Sequence, residues 1–107
     1  MDVAADLAYY LAEWYLPEMT TTSVDDMVAK LDAAAASVSS EGTPIRLVIT
    51  LSVPTDEVVY GVFGAHSSSI VAKTCLQAGL PYQRLSRDVG ARIQQSPAIS
   101  LPLATQT

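Results

Sequence analysis

The chain has few cysteines, few basic residues and no long apolar run, and each scarcity excludes a class of protein. Cys75 is the single cysteine, so no disulfide can form within the chain. Six basic residues against eleven acidic ones give a net charge of −5, which disfavours nucleic acid and anionic membranes as partners. The apolar run 47–53 is interrupted by Thr50 and Ser52, and no apolar run in the sequence approaches the roughly 18 residues needed to span a membrane.

The composition otherwise indicates one small globular domain. Half of the 107 residues are apolar, whereas 16% are charged, compared with about 25% in ordinary soluble domains. The N-terminus carries acids where a signal peptide needs positive charge, which predicts a cytoplasmic location. We expect a folded domain over residues 1–93 and a loose or docking tail over 94–107.

Hydrophobic periodicity predicts six elements. An aromatic and aliphatic run over 7–16 is typical of a strand, and apolar spacing over 24–38 predicts a helix capped by Ser23. The runs 45–53 and 58–65 are predicted to form a hairpin. A second helix is expected from the Ser67 cap to Gly79, followed by a strand near 83–89. The order β-α-β-β-α-β predicts an α+β, ferredoxin-like fold: a four-stranded antiparallel sheet with both helices on one face.

Alternation within 45–53 predicts which side chains the helices cover. Odd-numbered residues from Ile45 to Val53 would face the helices, while Val48 and Thr50 would lie on the other face together with half of the first strand's aromatic residues. With so few charges to solvate that second face, we expect it to pair with a second copy. The result would be a homodimeric α+β barrel with a cavity between the two sheets.

Two segments resemble a known family. Residues 10–17, YLAEWYLP, are similar to the YLxExxxP opening of a small family of domains of unknown function related to an actinobacterial nickel-binding protein. Residues 53–84 resemble that family's hairpin and second helix, which ends in AGLPxxR, here residues 78–84. The resemblance implies a ferredoxin-like fold, a dimeric barrel, and binding of nickel or another divalent metal. Glu13 and His66 would be the metal ligands, and a dimer would supply each of them twice.

Glu13 is the strongest single candidate for a catalytic residue. It interrupts an apolar strand and shares one face with Tyr9, Leu11 and Tyr15 by alternation. If that face borders the dimer cavity, Glu13 is placed to act as an acid–base group beside two phenols. The alternative is structural, since Glu13 could pair across the sheet with Arg84 or Arg46. The residues alone leave both open.

His66 is the second candidate for catalysis, because it lies at a strand-to-helix corner where imidazole can serve as a base or a metal ligand. The alternative is an exposed histidine in a capping turn. Asp56 and Glu57 are interpreted as a solvated hairpin tip, and Cys75 as a packed, inert thiol on the second helix.

These candidates support three functions. The first is a homodimer that binds or transforms a small apolar or aromatic molecule on the open sheet face. The second is a nickel-binding or other divalent-metal-binding protein. The third is a non-catalytic protein-interaction module. Whether the protein is an enzyme stays open, and so does the identity of any cofactor. For the first function the predicted ligand-binding residues are Tyr9, Tyr15, Thr50, Tyr60 and Arg84.

Overall fold

The computed structural model describes residues 7–90 and Arg92. Along the chain the elements are β1 (Ala8–Tyr15), α1 (Thr21–Ser40), β2 (Ile45–Val53), β3 (Val58–Ala65), α2 (Ser68–Gln77) and β4 (Arg84–Ser86). The four strands form one antiparallel sheet in the order β2-β3-β1-β4. The α+β fold and the β-α-β-β-α-β order predicted from the sequence are confirmed. The predicted tail over 94–107 lies outside the described residues.

Local chemistry sets the helix ends. Thr20 caps α1, and its hydroxyl accepts a hydrogen bond from the Ser23 backbone N–H while Ser23 Oγ accepts one from the Thr20 N–H. Ser23 is therefore inside the first turn, and not the cap that the sequence predicted. At the end of α2, Gly79 has a φ of +75°, and the Leu80 N–H donates back to the Cys75 carbonyl at 2.8 Å. This Schellman motif confirms the predicted role of Gly79.

The core lies between the two helices and one side of the sheet, which we name the covered face. Its largest fully buried residues include Phe63 and Val59 of β3 and Leu31 of α1. The Trp14 indole N–H donates to the Leu80 carbonyl at 2.7 Å, and its ring meets Phe63 edge-on with the centroids 6.4 Å apart. The loop after α2 is thereby fastened to β1.

A β-bulge at Val48 changes the predicted arrangement of β2. Leu47 pairs with Phe63, but Ile49 pairs with the next residue along β3, Val62, so Val48 is an extra residue in the ladder. Directly opposed residues on neighbouring strands lie on the same side of a sheet. Beyond the bulge, the odd-numbered residues of β2 therefore lie on the side of the sheet that faces away from the helices. The prediction that Ile49 and Leu51 pack under the helices is wrong.

Thr50 is displaced by the same bulge. It pairs with Gly61, a covered-face position at which an added Cβ would lie 3.0 Å from the Trp14 ring. The prediction that Thr50 belongs to the open face, as a ligand-binding residue there, is therefore wrong. Among the described residues no helix is long and apolar enough to cross a bilayer.

Candidate functional site

The side of the sheet without helices, which we name the open face, carries most of the predicted site residues. The strand register arranges them in rows that run across the strands. The central row contains Leu51, Tyr60, Glu13 and Arg84 in that order, from β2 to β4. The next row contains Ile49, Val62, Leu11 and Ser86. The open face therefore has an apolar half, on β2 and β3 and extending to Leu11 of β1, and a polar edge formed by Glu13, Arg84 and Ser86.

The apolar half of the open face includes large hydrophobic side chains that are exposed to solvent. Ile49 is 48% exposed and Leu51 is 53% exposed, although both are large aliphatic side chains. On β1, which is separated from β2 by β3, Tyr9 and Tyr15 are 36% and 56% exposed on the same face. The bulge at Val48 is what brings Ile49 and Leu51 to this side. The patch is thus larger than the sequence predicted.

An ion pair marks the polar edge. Arg84 Nε lies 3.7 Å from Glu13 Oε2, and the Arg84 side chain is 72% exposed whereas that of Glu13 is 23% exposed. Of the two sheet-crossing partners predicted for Glu13, the structure selects Arg84. Tyr60 lies directly opposite Glu13 on its other side. Glu13 therefore lies on the open face with Arg84 on one side and Tyr60 on the other.

Tyr15 is hydrogen-bonded to Glu57, a residue for which the sequence predicted a place in a solvated hairpin tip. The Tyr15 hydroxyl donates to Glu57 Oε1 at 2.9 Å, and the Glu18 N–H donates to Glu57 Oε2 at 3.1 Å. Glu57 itself occupies the left-handed region with a φ of +57°. The hydrogen bonds that it accepts, first from the Glu18 N–H and then from Tyr15, lower the pKa of Glu57. The same carboxylate raises the pKa of Tyr15.

His66 lies away from the Glu13–Arg84 pair. It follows the end of β3 and is exposed, whereas Glu13 pairs with Tyr60 six residues earlier. Six residues of extended chain span about 20 Å. One chain therefore does not bring Glu13 and His66 to a common site.

The described side chains of one chain do not form a site for a divalent metal. Within residues 7–90 and 92, no three His, Cys, Asp or Glu side chains converge in a way that could hold an ion. Glu13 is already paired with Arg84, and Cys75 is buried in α2, where burial raises its pKa to about 12. A buried thiol with that pKa stays protonated at neutral pH, so it is not placed to act as a nucleophile. This agrees with the interpretation of Cys75 as an inert core residue.

Two clefts lie elsewhere on the molecule. One, of about 410 Å³, is bordered by the start of α1 and by Ser52 and Pro54 at the end of β2. The other, of about 350 Å³, lies between α1 and α2 and is lined by Lys30, Gln77 and alanines. Neither includes a residue predicted to bind ligand. The open face of one chain is a surface, so a cavity over it needs a second layer.

The exposed open-face positions Ile49 and Leu51 were missed because strict alternation was assumed through β2. One signal was present: Leu47, Val48 and Ile49 are three successive apolar residues, which is where the phase of an alternating pattern can change. Glu57 had no comparable signal. Its hydrogen bond from Tyr15 joins residues 42 positions apart.

The chain matches no family profile and no curated protein in sequence. Among solved structures it is similar in fold to SCO4226 of Streptomyces coelicolor A3(2), with a TM-score of 0.64 and 13% sequence identity. The match covers 80% of this chain and 100% of that one. The likeness supports a small α+β domain, and at this level of identity it defines the fold alone.

Proposed function

We propose that this chain forms a two-fold homodimer through its open face and binds a small apolar or aromatic molecule in the cavity between the two sheets. The observation that carries the proposal is the exposure of Ile49 and Leu51 on that face, at 48% and 53%. They adjoin further open-face apolar residues of β1 and β3, which makes the patch contiguous.

The energetics favour covering this face. Soluble monomers rarely expose a contiguous apolar patch beyond a few hundred Å². Burying several hundred Å² per subunit at about 25 cal/mol per Å² contributes several kcal/mol. Each subunit contributes the same patch, so a two-fold axis doubles the gain while the association cost is met once.

The tyrosines argue for a cavity and against a fully dry interface. Tyr9, Tyr15 and Tyr60 share the open face with Glu13. A phenol combines an apolar ring with a polar tip, which suits the wall of a site that holds a mostly apolar compound and orients it by a few hydrogen bonds. If the bound compound is transformed, Glu13 is the group on this face able to accept or donate a proton.

Leu51→Asp tests the dimer, with Ser52→Asp as the matched control. Residues 51 and 52 are adjacent and both exposed, but Leu51 lies on the open face whereas Ser52 pairs with the covered-face residue Val59. By light scattering, wild type and Ser52→Asp should have about twice the 11.3 kDa mass of one chain, and Leu51→Asp should be monomeric. A monomeric wild type at high concentration would contradict the proposal.

Ligand binding is tested with the uncharged fluorescent probe phenylnaphthylamine. An added probe is needed because Trp14 is buried on the covered face and is hydrogen-bonded to Leu80, so its emission does not report on the open face. Saturable binding by the wild type that disappears in Leu51→Asp is expected. Absence of saturable binding at every probe concentration would exclude an apolar cavity.

A further inference from the structure

The segment 84–92, which includes the edge strand β4, is basic in an otherwise acidic protein. Arg84, Arg87 and Arg92 are half of the six basic residues in the sequence, fall within nine positions of one another, and are all exposed. Arg84 is the one whose strand position, opposite Glu13, places it on the open face. A local positive edge on a chain of net charge −5 is the kind of feature that attracts an anionic group.

The Arg84 guanidinium retains unused hydrogen-bonding capacity. Charge-assisted N–H···O bonds are about 2.7–2.9 Å long, so the 3.7 Å separation from Glu13 is a loose ion pair. A guanidinium has five N–H donors, and among the residues that the structure describes no other carboxylate lies within ion-pair distance of Arg84. Arg84 is also the outer member of the pair, since it is 72% exposed whereas Glu13 is 23% exposed.

The apolar surface begins next to this guanidinium. Neighbouring strands are about 4.8 Å apart, so Arg84 and Tyr60, on either side of Glu13, are separated by about 10 Å. The adjacent row contains Leu11, two residues before Glu13, and Val62, two residues after Tyr60. A compound of two fused or linked rings spans that distance with one end at Arg84 and its rings over the aliphatic row.

We infer that the ligand of the open face is an apolar ring compound that carries one anionic group, a carboxylate or sulfonate, which Arg84 binds at the β1–β4 edge. The inference rests on the proposed function and specifies its ligand class. The guanidinium supplies a forked pair of donors to the anion, and the row of Leu11 and Val62 receives the rings. Glu13 competes with the anion for Arg84 and thereby sets the strength of binding.

Two fluorescent probes of nearly the same ring skeleton test this. Anilinonaphthalene sulfonate carries an anionic group, and phenylnaphthylamine does not. The wild type should bind the sulfonate more tightly. Arg84→Gln should lose about tenfold in affinity for it, as expected for a hydrogen bond to a charged group, and change less than twofold for the neutral probe. Lys73→Gln, which removes an exposed cation from α2 on the other side of the sheet, is the control and should leave both affinities unchanged.

Glu13→Gln gives a test of opposite sign. Removing the competing carboxylate frees the guanidinium, so affinity for the sulfonate should rise while affinity for the neutral probe stays constant. A merely structural role for the pair would shift both probes together in both variants. Equal binding of both probes by wild type and Arg84→Gln would overturn the anionic ligand class and leave the apolar site standing. Failure of the wild type to bind either probe would overturn the proposed function itself, and this inference with it.

Discussion

The two faces of the sheet are built from the same strands and nearly the same residue types, yet they differ sharply in packing. Tyr9 and Tyr10 are neighbours in β1, but Tyr9 is 36% exposed on the open face and Tyr10 is 8% exposed on the covered face. On β3, Phe63 is fully buried while its neighbour Val62 is half-buried. The difference is in what lies against each face: α1 and α2 pack on one side, and no helix or strand within residues 7–90 packs on the other.

The covered face is also locked by specific contacts. The Trp14 indole is held at one end by the Leu80 carbonyl and lies edge-on against Phe63, so it cannot move aside without losing both. The open face has a different kind of order. Its ion pair and its Tyr15–Glu57 hydrogen bond are at the surface, and the large aliphatic residues Ile49 and Leu51 on β2 are about half exposed. One face is closely packed, and the other is accessible to solvent.

Phe63→Ala and Val62→Ala should separate the faces most strongly. Removing a fully buried aromatic ring leaves a cavity beside Trp14 and should lower the free energy of unfolding by about 3–5 kcal/mol. Val62→Ala, one residue away on the open face, should cost about 1 kcal/mol. Urea denaturation measures both. Equal losses would mean that the two faces are equally important to the fold.

Gly61→Ala and Gly64→Ala should give a smaller contrast between the faces. A Cβ at Gly61 would lie 3.0 Å from the ring of Trp14, which is pinned in place, so we expect a loss of about 1–3 kcal/mol in the free energy of unfolding. At Gly64, on the open face, the closest atom is 3.6 Å away, in Leu7, which is ordinary contact. Gly64→Ala should be neutral or stabilising by up to about 1 kcal/mol, because it restricts the unfolded chain. Thermal melting of both variants checks the order.

The smallest expected effect is a pH dependence confined to the end of the open face. Because the folded state lowers the pKa of Glu57, its contribution to stability is present above the ordinary glutamate pKa and is lost as the pH falls through the lower, folded-state value. The raised pKa of Tyr15 has the opposite sign: its contribution is present below the ordinary tyrosine pKa and is lost as the pH rises through the higher value.

Glu57→Gln tests this coupling. It should return the pKa of Tyr15 toward 10.0, as followed by the ultraviolet absorbance of tyrosinate during an alkaline titration. Asp56→Asn, at the adjacent exposed carboxylate, serves as the control and should leave the Tyr15 titration unchanged. An unchanged Tyr15 titration in Glu57→Gln would show that the hydrogen bond does not persist in solution.

Of the candidate site, the sequence indicated the β1 contribution well. Alternation in β1 put Glu13, Tyr9 and Tyr15 on one face, and the structure has them there, because an unbulged strand keeps its period of two. It predicted β4 to run near 83–89, and the strand spans Arg84–Ser86. It also included Thr50, which lies on the other face.

What the sequence by itself determined is what short-range chemistry controls. Gly79 and Pro81 ended the second helix, apolar spacing placed the first, and the order of elements followed from these local patterns. The tertiary structure alone decided which side chains of β2 lie on the open face. β2 must pair with β3 both at Ile45–Ala65 and at Val53–Val58, and only an extra residue at Val48 reconciles the two registers. That accommodation turned Ile49 and Leu51 outward, because one inserted residue reverses every side chain beyond it.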